Sequence, residues 1–197
     1  MILGIMWKRM GMMSANGAMV KLALLVIGLL AAVTAGAKDE KFLGRALFQR
    51  MVGEWTSEGE MSSNGSGDVI YVTEIWTGKF TDDGKGFVVE GNRDWNGEEQ
   101  TFKWEYSYNA VTDFIEAIYT ASNFDEELPM EVSVNEVEGS IMLRAPMGTE
   151  GAELHVENRF KEGRLVTRVS VTNQTGQTVF GGDLKHSRKK KDAKEDK

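Results

Sequence analysis

From Glu54 to His186 the sequence alternates apolar and polar residues at every second position, in short runs broken by glycine, asparagine and aspartate. A period of two is the mark of a strand with one face buried and the other wet. Trp55, Ser57, Gly59 and Met61 fall on one side of the first run, opposite Glu54, Thr56, Glu58 and Glu60. Phe102, Trp104, Tyr106 and Tyr108 fall on one side of another, opposite Thr101, Lys103, Glu105 and Ser107. Ten such segments are predicted: Glu54–Met61, Asp68–Phe80, Phe87–Asp94, Thr101–Tyr108, Asp113–Ala121, Met130–Val137, Ser140–Ala145, Ala152–Phe160, Arg164–Thr172 and Gln177–His186. The connections are too short for crossover helices, which favours an antiparallel meander. Asn96-Gly97 is the two-residue hairpin turn whose backbone twist matches paired strands. Pro129 and Pro146 are expected in or beside turns, because proline cannot donate to a ladder.

The pattern before Gly53 differs. Phe42, Leu43, Ala46, Leu47 and Met51 recur at helical spacing among charged residues, which predicts a helix over Lys38–Met51. Earlier still, Lys8, Arg9 and Lys21 precede the apolar run Leu22–Val33 and the small-residue stretch Ala35-Gly36-Ala37. That order reads as a signal peptide over residues 1–37, and the apolar run is short for a bilayer span of about 20 residues. The expected organisation is thus a signal peptide (1–37), a β domain (38–186) and a disordered basic tail (187–197). The expected address is exported, periplasmic or secreted, without stable membrane insertion after cleavage.

Composition narrows the chemistry. Cysteine is absent, which excludes disulfides, thiolate nucleophiles and thiolate metal sites. An exported domain without disulfides must be held by its core and its ladder, and a closed barrel leaves no unpaired edge. The net charge is −7, and the acidic excess lies in the body because the segment 1–37 and the tail are both basic. An acidic body argues against a nucleic-acid partner. No Gly-x-Ser-x-Gly elbow, dinucleotide fingerprint or phosphate loop is present, so hydrolase activity ranks last and an enzyme is not favoured. The two histidines, His155 and His186, fall on separate strands, and His155 alternates with Glu153 and Glu157 on an outer face.

The stretch from Leu47 to Tyr108 carries further motifs: Gly53-Glu54-Trp55 with Gly59, then Glu74 and Trp76 with Phe80 and Asp83-Gly84-Lys85-Gly86. Glu90-Gly91, Asn96-Gly97 and Trp104-Glu105-Tyr106-Ser107-Tyr108-Asn109 follow. This pattern resembles the DUF1579 family of uncharacterised bacterial proteins, and more distantly the lipocalin-like barrels of the nitrobindin and fatty-acid-binding groups. The resemblance implies an all-β, up-and-down, calycin-like barrel of about ten strands with one N-terminal helix. Similarity to nitrobindin implies haem held by a histidine of the last strand, here His186, with nitric-oxide or peroxynitrite chemistry. Ser57 departs from that motif (Gly-x-Trp-x-Gly-x-Gly), which has glycine there.

Three functions follow as expectations: a binding module for a small apolar or aromatic molecule with no cofactor, a haem protein using His186, and a filled barrel acting through its surface. For the first, Trp76, Trp104, Tyr106, Phe102 and Phe180 are the candidate contacts, with Glu74 as a polar anchor. Val72, Glu74, Trp76, Gly78 and Phe80 share a face. If that face points inward, Glu74 needs an arginine or a tyrosine hydroxyl as partner; otherwise it sits at a barrel end and reaches water. Gly78 and Gly182 are expected to leave space inside.

Overall fold

The computed structural model describes Phe42, residues 44–109, 111–148 and 151–189. The predicted signal peptide lies outside them, as does the tail beyond Lys189. Ten strands form one closed antiparallel barrel: β1 (Gly53–Ser63), β2 (Val69–Phe80), β3 (Gly86–Trp95), β4 (Glu98–Asn109), β5 (Phe114–Ala121), β6 (Leu128–Asn135), β7 (Ser140–Met147), β8 (Ala152–Lys161), β9 (Arg164–Thr172) and β10 (Thr178–Arg188). Each pairs with its successor, and β10 returns to β1 to close the cylinder. The predicted all-β meander is the observed fold. Asn96 and Gly97 both take positive φ (54° and 91°), as the hairpin between β3 and β4 requires.

The differences are local. The helix α1 is Arg45–Met51, and Gly44 at φ 68° stands just before it, so the helix does not run through from Lys38 as expected. Phe42 is buried without being helical. Both prolines lie within strands but beside the turns, Pro129 second in β6 and paired with Ile118, Pro146 second to last in β7 and paired with Glu153. β6 accordingly starts before Met130 and ends before Val137, which projects fully from a turn. β10 runs on to Arg188, so Ser187 and Arg188 belong to the barrel and not to the tail.

Strand parity divides the ends of the cylinder. At one end lie the turns after β1, β3, β5, β7 and β9; at the other lie α1 and the turns after β2, β4, β6 and β8. The helix plugs its end. Phe48 is fully buried and meets Phe42, Phe87 and Tyr106 with ring centroids 4.8–5.2 Å apart. Its last carbonyls, which no helical turn can satisfy, are taken from outside: Trp55 Nε1 donates to Met51 O at 3.0 Å, and Arg188 to Arg50 O at 2.8 Å. Gly78 does not open space there. A Cβ on it would stand 2.3 Å from Met51 O, so the glycine is what lets the helix end approach β2. Gly182 likewise admits Glu60 O, 1.9 Å from a hypothetical Cβ, instead of widening the interior.

Candidate functional site

The barrel is hollow from Met51 at the end of α1 towards the opposite end. A cavity of about 500 Å³ is lined by Trp76, Phe102, Trp104, Tyr106, Phe180 and Glu74, among others. These are the six side chains singled out from the sequence, and the strand alternation brings all of them to one space. Such a volume lies within the ~300–1,000 Å³ usual for small-molecule sites. Trp95 and Phe180 stack at 6.2 Å and Tyr119 meets Phe124 edge-on at 5.9 Å, both pairs towards the end opposite the helix. Trp55 is buried but stacks behind Trp76 at 5.4 Å and does not line the cavity.

A belt of polar side chains crosses this apolar interior, and the strand register builds it. Ladder partners are Asn158 and Thr167, His186 and Ser57, Ser57 and Glu74, and Glu74 and Arg93. All sit on inward-facing positions, so neighbouring strands place them side by side.

On β2, Glu74 is 5 % exposed, which settles the open question of its face: it points inward, and it does not reach water at a barrel end. Arg93 meets the Glu74 carboxylate through Nε and a terminal nitrogen, both 2.7 Å from Oε1. Its other terminal nitrogen donates to the Tyr119 hydroxyl at 3.1 Å. The guanidinium also lies over Phe102, 4.8 Å from the ring centre. Burial by itself would lower the Arg93 pKa, but Glu74 and Tyr119 outweigh it and hold the group above its ordinary value. Burial raises Tyr119, with Arg93 opposing, so its phenol stays protonated. Arg93 and Tyr119 escaped the sequence reading. Counting back from the Phe80–Phe87 pair across the β2–β3 turn puts Arg93 opposite Glu74, so the register carried that signal.

The second cluster centres on His186. Rather than ending in solvent, the histidine is packed between β1 and β9, because β10 continues two residues past it. Trp76 Nε1 donates to Ser57 Oγ at 2.8 Å, which leaves the Ser57 hydroxyl to donate to His186 Nδ1 at 2.6 Å. Nε2 lies 2.8 Å from Thr167 Oγ1, and Thr167 donates to Asn158 Oδ1 at 2.6 Å. Followed from donor to acceptor, the chain assigns the proton to Nε2 and makes the imidazole neutral. Desolvation agrees, pushing His186 down to about 4. Haem would need a free imidazole nitrogen. Both are taken by hydroxyls, so the arrangement as it stands does not fit an axial ligand, and no chemistry through haem is derived. His155 lies on the outer face as expected, 3.3 Å from Glu153. Among the described residues no cluster of three metal-ligating side chains occurs.

Among solved structures, the chain is similar to the S-type phycobiliprotein lyase CPES of Guillardia theta, with a TM-score of 0.52 and 12% sequence identity over 75% of this chain and 93% of the lyase. The two share a fold. A DUF3598 protein of unknown function from Nostoc punctiforme matches 72% of this chain and 49% of its own, at 9% identity and a TM-score of 0.46. No family model matches the chain, and no curated protein does.

Proposed function

We propose that the barrel binds a small, largely apolar or aromatic molecule in its interior. The observation that carries this reading is the hollow itself: about 500 Å³ walled by Trp76, Phe102, Trp104, Tyr106 and Phe180. A barrel whose core were complete would leave no such space, since interiors are packed to near-crystalline density. The fold shared with a phycobiliprotein lyase supports the barrel as the scaffold for such a site. In this reading the protein is an exported member of a DUF1579-like group that needs no cofactor.

The test is a titration with N-phenyl-1-naphthylamine, a neutral aromatic probe that brightens in apolar surroundings. Saturable binding near one probe per chain is expected. A Val169→Trp variant that keeps the wild-type circular dichroism spectrum fills the cavity and loses it. Absence of saturation, or unchanged binding in that variant, overturns the reading. Absorption of protein purified from its own host checks the haem alternative: a Soret band abolished by His186→Ala would replace this proposal.

A further inference from the structure

The polar groups of the cavity specify the ligand more narrowly than its volume does. Tyr106 is 4 % exposed and its hydroxyl makes no hydrogen bond to the described protein. Every fully enclosed side-chain nitrogen or oxygen among the described residues does have a partner, so the Tyr106 hydroxyl must open on the cavity it lines. It does so from the side plugged by α1, where its ring is wedged against Phe48 and Phe87. Burial pushes its pKa up, so it remains a donor. A buried hydroxyl left unpaired costs free energy that a ligand acceptor would recover.

The charged pair that lines the cavity is already spent on itself, and the remaining lining carboxylate, Glu98, is exposed. Arg93 places two nitrogens on Glu74 Oε1 and a third on Tyr119, and the His186 imidazole is neutral. An entering carboxylate would face a cation whose charge is cancelled, and an entering ammonium would face a carboxylate in the same condition. Either would be desolvated without a counter-charge. Tyr119, accepting from Arg93, keeps its own O–H to offer, so the neighbouring strands β4 and β5 each present a hydroxyl donor to the space.

We infer that the cavity selects uncharged aromatic molecules bearing a carbonyl-type hydrogen-bond acceptor, which the Tyr106 hydroxyl engages, and that it discriminates against carboxylates of the same shape. This rests on the cavity-binding reading above.

The experiment compares three naphthalenes of nearly one size on the full chain: 1-acetonaphthone, 1-methylnaphthalene and 1-naphthoate, by tryptophan quenching or calorimetry. The ketone is expected to bind about five- to tenfold more tightly than the hydrocarbon, the yield of one neutral hydrogen bond. The carboxylate is expected to bind most weakly. Tyr106→Phe, which removes one oxygen and keeps the ring, should erase the advantage of the ketone over 1-methylnaphthalene. A ketone-to-hydrocarbon ratio untouched by Tyr106→Phe, or tightest binding by 1-naphthoate, overturns the inference while the cavity reading stands. Failure of all three compounds to bind overturns both.

Discussion

The two polar clusters inside the barrel occupy adjoining arcs of the same belt and are built in opposite ways. Around His186 the donors and acceptors form a closed neutral chain: indole to serine to imidazole to threonine to asparagine. Around Arg93 the groups are charged, and the set is open. Oε1 of Glu74 takes both guanidinium contacts, while the Tyr119 hydroxyl still has its proton to give. The closed cluster is what structure alone requires, since a buried polar group with its partners costs little and one without them costs a great deal. The open cluster is more than structure requires, and it faces the same cavity as the unpartnered Tyr106 hydroxyl. The difference teaches where to look for a function: first at the charged cluster with hydroxyl donors to spare, and only then at the network around the imidazole, whose ring nitrogens are both taken.

The largest expected effect separates them by charge. Arg93→Met leaves Glu74 buried without its cation and should destabilise the protein by about 3–5 kcal/mol, the usual result of removing one partner from a buried pair. Urea unfolding of the single variant and of Glu74→Gln/Arg93→Met measures this, and the double variant should regain much of the loss. Equal stability of the single and double variants would show that the pair is solvated and the contrast between the clusters false.

Ser57→Ala attacks the closed cluster. It takes the Trp76 indole N–H off its 2.8 Å acceptor and leaves His186 Nδ1 only the longer 3.3 Å bond from that N–H, for an expected loss of about 1–3 kcal/mol. Thermal unfolding reads the loss, and a shift of the Trp76 indole proton in the NMR spectrum reports the broken bond.

The smallest effect is graded by pH. Burial pushes His186 down to about 4 in the folded protein from an ordinary 6.5. As pH falls, the unfolded chain takes up its proton first, so this contribution to stability is complete above pH 6.5 and is lost between there and about pH 4. Its full extent is on the order of 1–3 kcal/mol. His186→Gln should flatten the stability profile across that window. The Asp183 and Glu90 carboxylates, held below their ordinary values of 3.8 and 4.5 by Arg168 and Lys79, lose their contribution from those values downward and so overlap only the acid end of this window. A wild-type profile that is flat between pH 6.5 and 4 would mean that His186 is already wet, and the closed cluster less closed than its hydrogen bonds describe.

Strand alternation made much of this protein legible before folding. Phe102, Trp104 and Tyr106 had to share a face, and Glu74 had to share one with Trp76, because a period of two admits no other arrangement. Turn chemistry fixed the order of the meander, and without crossover segments that order could close only as neighbours. Local signals failed where the reason for a residue lay on another element. Gly78 looks like spare room in the sequence and is a contact with Met51 O; Gly182 is a contact with Glu60 O. The end of β10 looks like the start of a tail and is pinned by Arg50 O and by the β1 ladder.

What the sequence by itself determined is therefore the list of inward-facing side chains, since each follows from parity along its own strand. What only the tertiary structure decided is which of them pair and which are left facing space. Pairing depends on the register between strands, and Arg93 reaches Glu74 only because the β2–β3 turn has its particular length. The cavity depends on how far α1 fills the cylinder, and its seven residues fill one end with Phe48 and leave the other to the walls.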